Sequence, residues 1–216
     1  MTTSLHIDFV SDVSCPWCAI GLKSLEQALA NAADAVHAEI RFQPFELNPD
    51  MGAEGEDIIA HLARKYGASP QQLQQTQEMI RARGAELGFV FDMDQRSRIY
   101  NTFDAHRLLH WAEDSGRQQA LKMALFEAYF TRGENPGATE VLLAAVDKAG
   151  LDRAEAAAIL ASERFAAEVR EREQYYLRAG INSVPAVIIN NRHLISGGQP
   201  PQVFEQALRQ IAAAGE

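Results

Sequence analysis

The chain has 216 residues, 47% hydrophobic and 23% charged with 14 Gly and 8 Pro, an ordinary globular composition. Its 20 basic and 29 acidic residues leave a net charge of −9, with no local Lys/Arg run, which argues against a phosphate-neutralising surface and a nucleic-acid partner. No apolar run approaches the roughly 18 residues of a membrane span, and a chain this long buries a core without disulfide staples or a structural metal. The opening "MTTSLHIDFVSD" has no basic leader and its apolar stretch is broken by His6 and Asp8, so no secretory signal is expected. The expected location is the cytoplasm, where static disulfides are rare.

In chain order, residues 5–10 ("LHIDFV") alternate and are rich in β-branched and aromatic side chains, which predicts a strand. After "SDVSCPWCAIG", Ile20, Leu22, Leu25, Leu29 and Ala32 fall near a helical period, and Pro16 suits the first turn. Residues 38–47 predict a second strand ending near Pro44. Helices follow: "EDIIAHLARKYG" stops at Gly67, and the next has Ser69 as its cap and Pro70 in its first turn. Others are predicted over "RIYNTFDAHRLLHWAEDSG", "RQQALKMALFEAYFTRG", "GLDRAEAAAILAS", where Asp152 and Glu155 have capping-box spacing, and "SERFAAEVREREQYYLRAG".

"VPAVIIN" reads as a strand buried on both faces, Asn190-Asn191 as a hairpin turn, and "RHLIS" as the return strand. A closing helix turns Phe204, Leu208 and Ile211 inward. The outline is α/β: a thioredoxin-like fold with an all-helical insertion between its βαβ and ββα halves. The thioredoxin-like domain is expected over 1–50 and 162–216 and the insertion over 51–161.

Both cysteines of the chain lie in the CPWC stretch, at the hand-over from strand to helix. Unpaired backbone N–H groups and the helix dipole there favour a thiolate on Cys15. Cys18, one turn further in, is expected to be more buried, so Cys15 attacks and Cys18 resolves the mixed disulfide. Pro16 and Trp17 bring no positive charge, which predicts a potential between the extremes of about −120 and −270 mV. On base rates Pro185 would be a trans proline opening a strand. A CxxC at the first helix reverses that expectation, because a thioredoxin fold sets this proline opposite the cysteines. A cis bond would turn the Val184 backbone toward Cys15.

The stretches "DFVSDVSCPWCAIG", "FQPFELNPDM", "NTFDAHRLLHWA", "GINSVPAVIIN" and "SGGQPPQVFEQAL" resemble the DsbA-type thioredoxin-fold oxidoreductases, specifically their FrnE-like branch. The resemblance implies thiol–disulfide exchange through Cys15 and Cys18, with Pro185 as the cis-proline and Pro16, Trp17 and Val184 meeting substrate. The same superfamily includes kappa-class glutathione transferases and 2-hydroxychromene-2-carboxylate isomerases, which are similar in architecture and use serine where this chain has Cys15. A glutathione-dependent isomerase or transferase is therefore the alternative function. It would place glutathione contacts at Asn48, Val184, Ser196 and Gly197. No bound cofactor is expected, with glutathione as redox partner or cosubstrate; the partners are protein or small-molecule thiols and disulfides, and both monomer and homodimer stay open.

Competing readings attach to other residues. His106 and His110, four apart on a predicted helix, could join the cysteines around zinc, although their spacing is far from that of a zinc finger; a hydrogen-bonded packing role is preferred and no metal is expected. Asp8 or Asp12 could take the Cys18 proton, but strand or cap roles are preferred. Trp17 could be a substrate surface or pack on the insertion. Phe103, His106, Leu109 and Trp111 could line a substrate pocket, with the insertion's own core as the stronger reading.

Overall fold

The computed structural model describes residues 2–215. Its central strand, β1 (Thr3–Ser11), buries Ile7 and Phe9 on one face and Val10 on the other. A strand covered on both sides needs apolar residues in both phases of its alternation. β1 runs parallel to β2 (Val36–Pro44), in register from Thr3 against Val36 to Ser11 against Pro44. Its other edge pairs antiparallel with β5 (Ala186–Ile189), which pairs antiparallel with β6 (His193–Ser196), giving the order β2-β1-β5-β6. Asn190 and Asn191 turn β5 toward β6 with φ of 52° and 55°, a left-handed pair closed by Arg192 N–H donating to Ile189 O at 3.0 Å.

Helices cover both faces. α1 (Pro16–Asn31) and the carboxy-terminal helix (Pro201–Ala214) pack on the face that receives Ile7 and Phe9, with Ile20, Leu22, Phe204 and Leu208 fully buried. On the opposite face Val10 meets Phe45, Ile181 and Tyr176, the last from the helix Ala166–Arg178.

Between β2 and β5 the chain forms α2 (Ile58–Tyr66), α3 (Pro70–Glu86), α4 (Phe103–Trp111), α5 (Gln118–Phe126), α6 (Thr139–Ala149) and α7 (Arg153–Leu160). α8 and α9 are the two helices already named. Leu108, Leu121, Leu125, Leu142 and Val146 give this region its own core.

The region is not all-helical, as the sequence pattern had suggested. β3 (Glu56–Asp57) and β4 (Arg98–Ile99) form a two-residue antiparallel ladder, extended by Ile58 N–H donating to Ser97 O at 3.0 Å. Runs this short carry no readable period. The ladder also delays α4, which begins at Phe103 rather than at Arg98: Ile99 belongs to β4, and Phe103 N–H donates to Asn101 Oδ1 at 2.9 Å. Asp152 caps α7 through the amides of Ala154 and Glu155, but the Glu155 carboxylate turns to Arg164, so no reciprocal box forms. α5 runs into a π-helical turn, Glu127–Thr131, that buries Tyr129 and Phe130.

Two glycines set how closely the loop before α9 approaches α1. A Cβ on Gly198 would stand 2.8 Å from the Trp17 carbonyl oxygen, and one on Gly21 3.0 Å from Pro185 Cγ. Gly198→Ala is expected to cost about 1–3 kcal/mol by urea denaturation. Gly52→Ala, whose Cβ would meet nothing within 4 Å, should leave the midpoint in place.

Candidate active site

Cys15 is the residue that begins α1. Its backbone is still extended, at φ −92° and ψ 112°, and Pro16 follows in the first turn, where a missing N–H costs nothing. Cys15 N–H donates to Asp12 O at 3.2 Å, and Cys18 N–H closes the turn on Cys15 O at 3.0 Å. The first turn carries no acidic residue, so the helix dipole acts on the sulfur unopposed from its own turn. Cys15 is 4% exposed and Cys18 not at all. Opposite, the Val184–Pro185 peptide is cis, and the Cys15 sulfhydryl reaches the Val184 carbonyl at 3.7 Å. Gly197 N–H holds the far side of that corner by donating to Pro185 O at 2.8 Å.

The two sulfurs are electrostatically unequal. The Cys15 thiol is held below its ordinary range, first by a hydrogen bond from the Cys18 thiol, which burial opposes and the Cys18 and Trp17 amides support. Cys18 is pushed well above its ordinary range by burial and by its role as donor to a neighbouring thiolate; the Lys122 charge pulls the other way. Lys122, on α5, is fully buried, and burial brings its ammonium down to about 8. Its Nζ finds no hydrogen-bond partner among the described residues and sits 5.1 Å from the Phe126 ring centroid.

Asp12 braces the approach to Cys15. Its carboxylate accepts from Leu47 N–H at 2.7 Å, from Ser14 N–H at 3.1 Å and from Ser14 Oγ–H at 3.0 Å. Burial works to raise this carboxyl, but the imidazole of His106 and these amides outweigh it and hold it at about 2. His106 Nε2 stands 3.6 Å from Oδ1. A carboxyl held there is a brace, not the base near neutrality that a proton acceptor for Cys18 needs. Asp8 belongs elsewhere: it accepts from Gln43 Nε2 at 2.6 Å and lines a cleft with His110 and Arg172.

A cavity of about 300 Å³ opens beside Cys15. Pro16, Trp17 and Asn48 line it, together with residues of α2 and α3, and Trp17 is half-buried, packing at once on the core and on the cavity. Cys15, Cys18, Val184 and Pro185 thus converge, and Asn48 joins them from the loop after β2. Ser196 and Gly197, like Val184 and Pro185, do not line this cavity, and the Gly197 amide holds the Pro185 carbonyl. The two histidines diverge from the cysteines: His106 faces Asp12, while His110 meets the Phe165 ring edge-on at 5.3 Å. Leu109 and Trp111 belong to the helical core, and Phe103 lies under the Arg170 guanidinium at 3.8 Å; none lines the cavity.

Sequence reasoning passed over two cations. Lys122 is one, and its signal was present: Gln118, Leu121, Lys122, Leu125 and Phe126 form the buried stripe of α5 at helical spacing, and a lysine inside such a stripe is an anomaly. Arg96 is the other. It sits in a charged loop that carries no periodic cue, yet it is 7% exposed and lines the cavity.

A thioredoxin-type sheet with an activated thiol at the start of its first helix, a second thiol one turn behind and a cis-proline opposite defines the class of thiol–disulfide oxidoreductases. The chain belongs to the DSBA-like thioredoxin domain family, whose model matches residues 6–209. It is 34% identical to a probable DsbA oxidoreductase from Streptomyces coelicolor, over 98% of this chain and 91% of that one, with a TM-score of 0.89. The cytosolic disulfide reductase DsbM from Pseudomonas aeruginosa, solved with GSH, shares the fold at 19% identity and a TM-score of 0.65, over 96% and 98% of the two chains. A 2-hydroxychromene-2-carboxylate isomerase shares it at 16% identity and a TM-score of 0.71, over 97% of each chain. The chemistry of the family is thiol–disulfide exchange.

The Asp12 brace has a pH signature. Its folded value, about 2, lies below the ordinary 3.8, so its stabilisation is complete above 3.8 and is lost as pH falls toward 2. Asp12→Asn should lower stability at pH 7 by roughly 2 kcal/mol, and the difference from wild type should shrink between about pH 4 and pH 2 in urea titrations.

Proposed function

We propose that the protein is a cytoplasmic thiol–disulfide oxidoreductase of the FrnE-like branch that works through Cys15 and Cys18, with glutathione as its redox partner. The observation that carries this reading is the inequality of the two sulfurs: one thiol lowered by a hydrogen bond from the other, which is itself raised by burial. Cys15 thiolate attacks one sulfur of a substrate disulfide and expels the other as a thiolate, leaving substrate mixed with Cys15. Cys18 then gives its proton to the neutral amine of Lys122, and its thiolate attacks the Cys15 sulfur. The second substrate thiolate leaves, and two electrons have passed from the dithiol to the substrate. Two molecules of glutathione restore the dithiol and become glutathione disulfide. The Val184 carbonyl faces the Cys15 sulfur at 3.7 Å and would receive a hydrogen-bond donor of the substrate.

Cys18→Ser tests the reading. With the resolving sulfur gone, incubation with a disulfide should leave substrate attached at Cys15, seen as an intact-mass increase that dithiothreitol removes. A variant that turns over at the wild-type rate would instead identify a glutathione-dependent isomerase or transferase, in which only Cys15 acts.

Lys122 gives a second test. A folded value of about 8, below the ordinary 10.5, means that the ammonium disfavours the folded state at pH 7 and does so less as pH rises past 8. Lys122→Met should therefore stabilise the fold at pH 7 by about 1–3 kcal/mol while slowing release of the mixed disulfide about tenfold or more. In stopped-flow traces the wild-type release rate should rise with a midpoint near pH 8, and the variant's should keep rising above it.

A further inference from the structure

The cavity beside Cys15 has a chemistry that disulfide exchange does not require. Its wall is largely aliphatic, with Leu47, Leu62, Leu73, Ile80, Met93 and Ile99 facing inward. Among the described residues no carboxylate lines it, although the chain as a whole carries −9. Its charged lining groups are Arg96 and Lys65.

Arg96 is over nine-tenths buried. Its guanidinium lies 4.8 Å from the ring centroid of Tyr129 and 5.2 Å from that of Phe130, the two rings that the π-helical turn presents. It gives one hydrogen bond, Nη2–H to Ser14 O at 3.3 Å, while its Nε finds no partner and no carboxylate stands within ion-pair range among the described residues. A buried guanidinium without a counter-charge is costly and is retained where something else supplies the charge. The Cys15 thiolate does not fill that need, since the Cys18 thiol and nearby amides account for it. Lys65, at the mouth, donates to Leu47 O at 2.7 Å and to Asn48 Oδ1 at 2.8 Å, which leaves a third N–H and the full charge free. Of the other titratable groups in the wall, His61 is tied between Glu56 and Asn48 at 2.9 and 3.0 Å, and burial pushes the Tyr66 phenol up.

We infer that the substrate is a small apolar molecule carrying a carboxylate beside its sulfur, such as an aryl or branched aliphatic thio-acid in disulfide form, with the carboxylate held between Arg96 and Lys65 and the apolar body against α2 and α3. A volume of about 300 Å³ suits a small-molecule body and not a folded protein segment. The inference rests on the exchange chemistry proposed above: each turnover reduces one substrate disulfide to two thiols and oxidises Cys15 and Cys18 to their disulfide, which glutathione then reduces.

The test is single-turnover oxidation of the pre-reduced protein by five disulfides: those of thiosalicylate, thiosalicylamide, mercaptopropionate and mercaptoethanol, and glutathione disulfide. Rates are followed by acid quench and mass spectrometry, and each is divided by the rate of the same disulfide with free mercaptoethanol. The thiosalicylate disulfide should lead the amide, both alkyl disulfides and glutathione disulfide by about tenfold or more, the scale of one charge-assisted hydrogen bond. Lys65→Gln and, separately, Arg96→Met should each collapse the acid-to-amide ratio severalfold; Lys65→Gln changes an exposed residue and keeps the test open if Arg96→Met fails to fold. Equal normalised rates for acid and amide would overturn the anion seat. A preference for acids without any gain from the ring would overturn the apolar seat, and a lead for glutathione disulfide would assign the cavity to the tripeptide. If all five follow their solution reactivity, exchange chemistry stands and this inference falls; if none oxidises the protein, the reading of the site as an exchange centre falls first.

Discussion

The unequal pairing of the Cys15 and Cys18 sulfurs, one lowered and the other raised, organises this molecule. It forms only because β1 ends where α1 begins, so that two residues three apart in sequence stand one turn apart in space with the outer one at the helix start. Burial treats the two sulfurs alike, yet their protons do not divide evenly. The donor is driven up and the acceptor down, and a pair that would be inert as two isolated buried thiols becomes an attacking group and a reserve. The brace beneath it is as specific. Asp12 gathers the amides of Ser14 and Leu47, tying the end of β1 to the loop after β2, so the turn bearing Cys15 is fixed from both sides.

The helices between β2 and β5 are needed for more than cover. α5 delivers Lys122 behind Cys18, and the π-helical turn that follows swings Tyr129 and Phe130 under Arg96. The short β3-β4 ladder joins the start of α2 to the segment after Arg96, so the two walls of the cavity are held to each other as well as to the sheet. One face of the exchange centre is therefore built by the sheet and the other by this region, and they meet at Cys15.

Much of this was legible in the sequence for physical reasons. β1 could be read because alternation and β-branching leave a period, and the turn at Asn190-Asn191 because few residues accept two left-handed conformations in a row. The cysteines could be read because their spacing and their place after a strand carry chemistry. The ladder at Glu56–Asp57 and Arg98–Ile99 could not, because two residues have no period and their pairing spans a separation that sequence does not encode. Ser196 and Gly197 stand at the Pro185 corner, outside the lining of the cavity beside Cys15. Arg96 was invisible for another reason: in a loop rich in charge one more arginine looks solvated, and only the aromatic pair beneath it, more than 30 residues on, shows otherwise.

Lys122 and Arg96 together suggest why the site tolerates two buried cations. Each is costly in isolation, and neither is matched by a carboxylate in ion-pair contact among the described residues. In the proposed exchange, however, negative charge travels: it begins on Cys15, passes to a leaving thiolate, appears on Cys18 as it attacks, and departs again on the second thiolate. A fixed carboxylate beside Lys122 would leave nothing for the thiolate that forms on Cys18, and one beside Arg96 would leave nothing for the carboxylate of the proposed substrate. Lys122 meets that charge where it forms on Cys18, and Arg96 meets the carboxylate of the proposed substrate, so each static cost is offset at its own step. The interior of this protein is then less stable than an apolar replacement would make it, at the positions where its chemistry needs a charge that no resident group supplies.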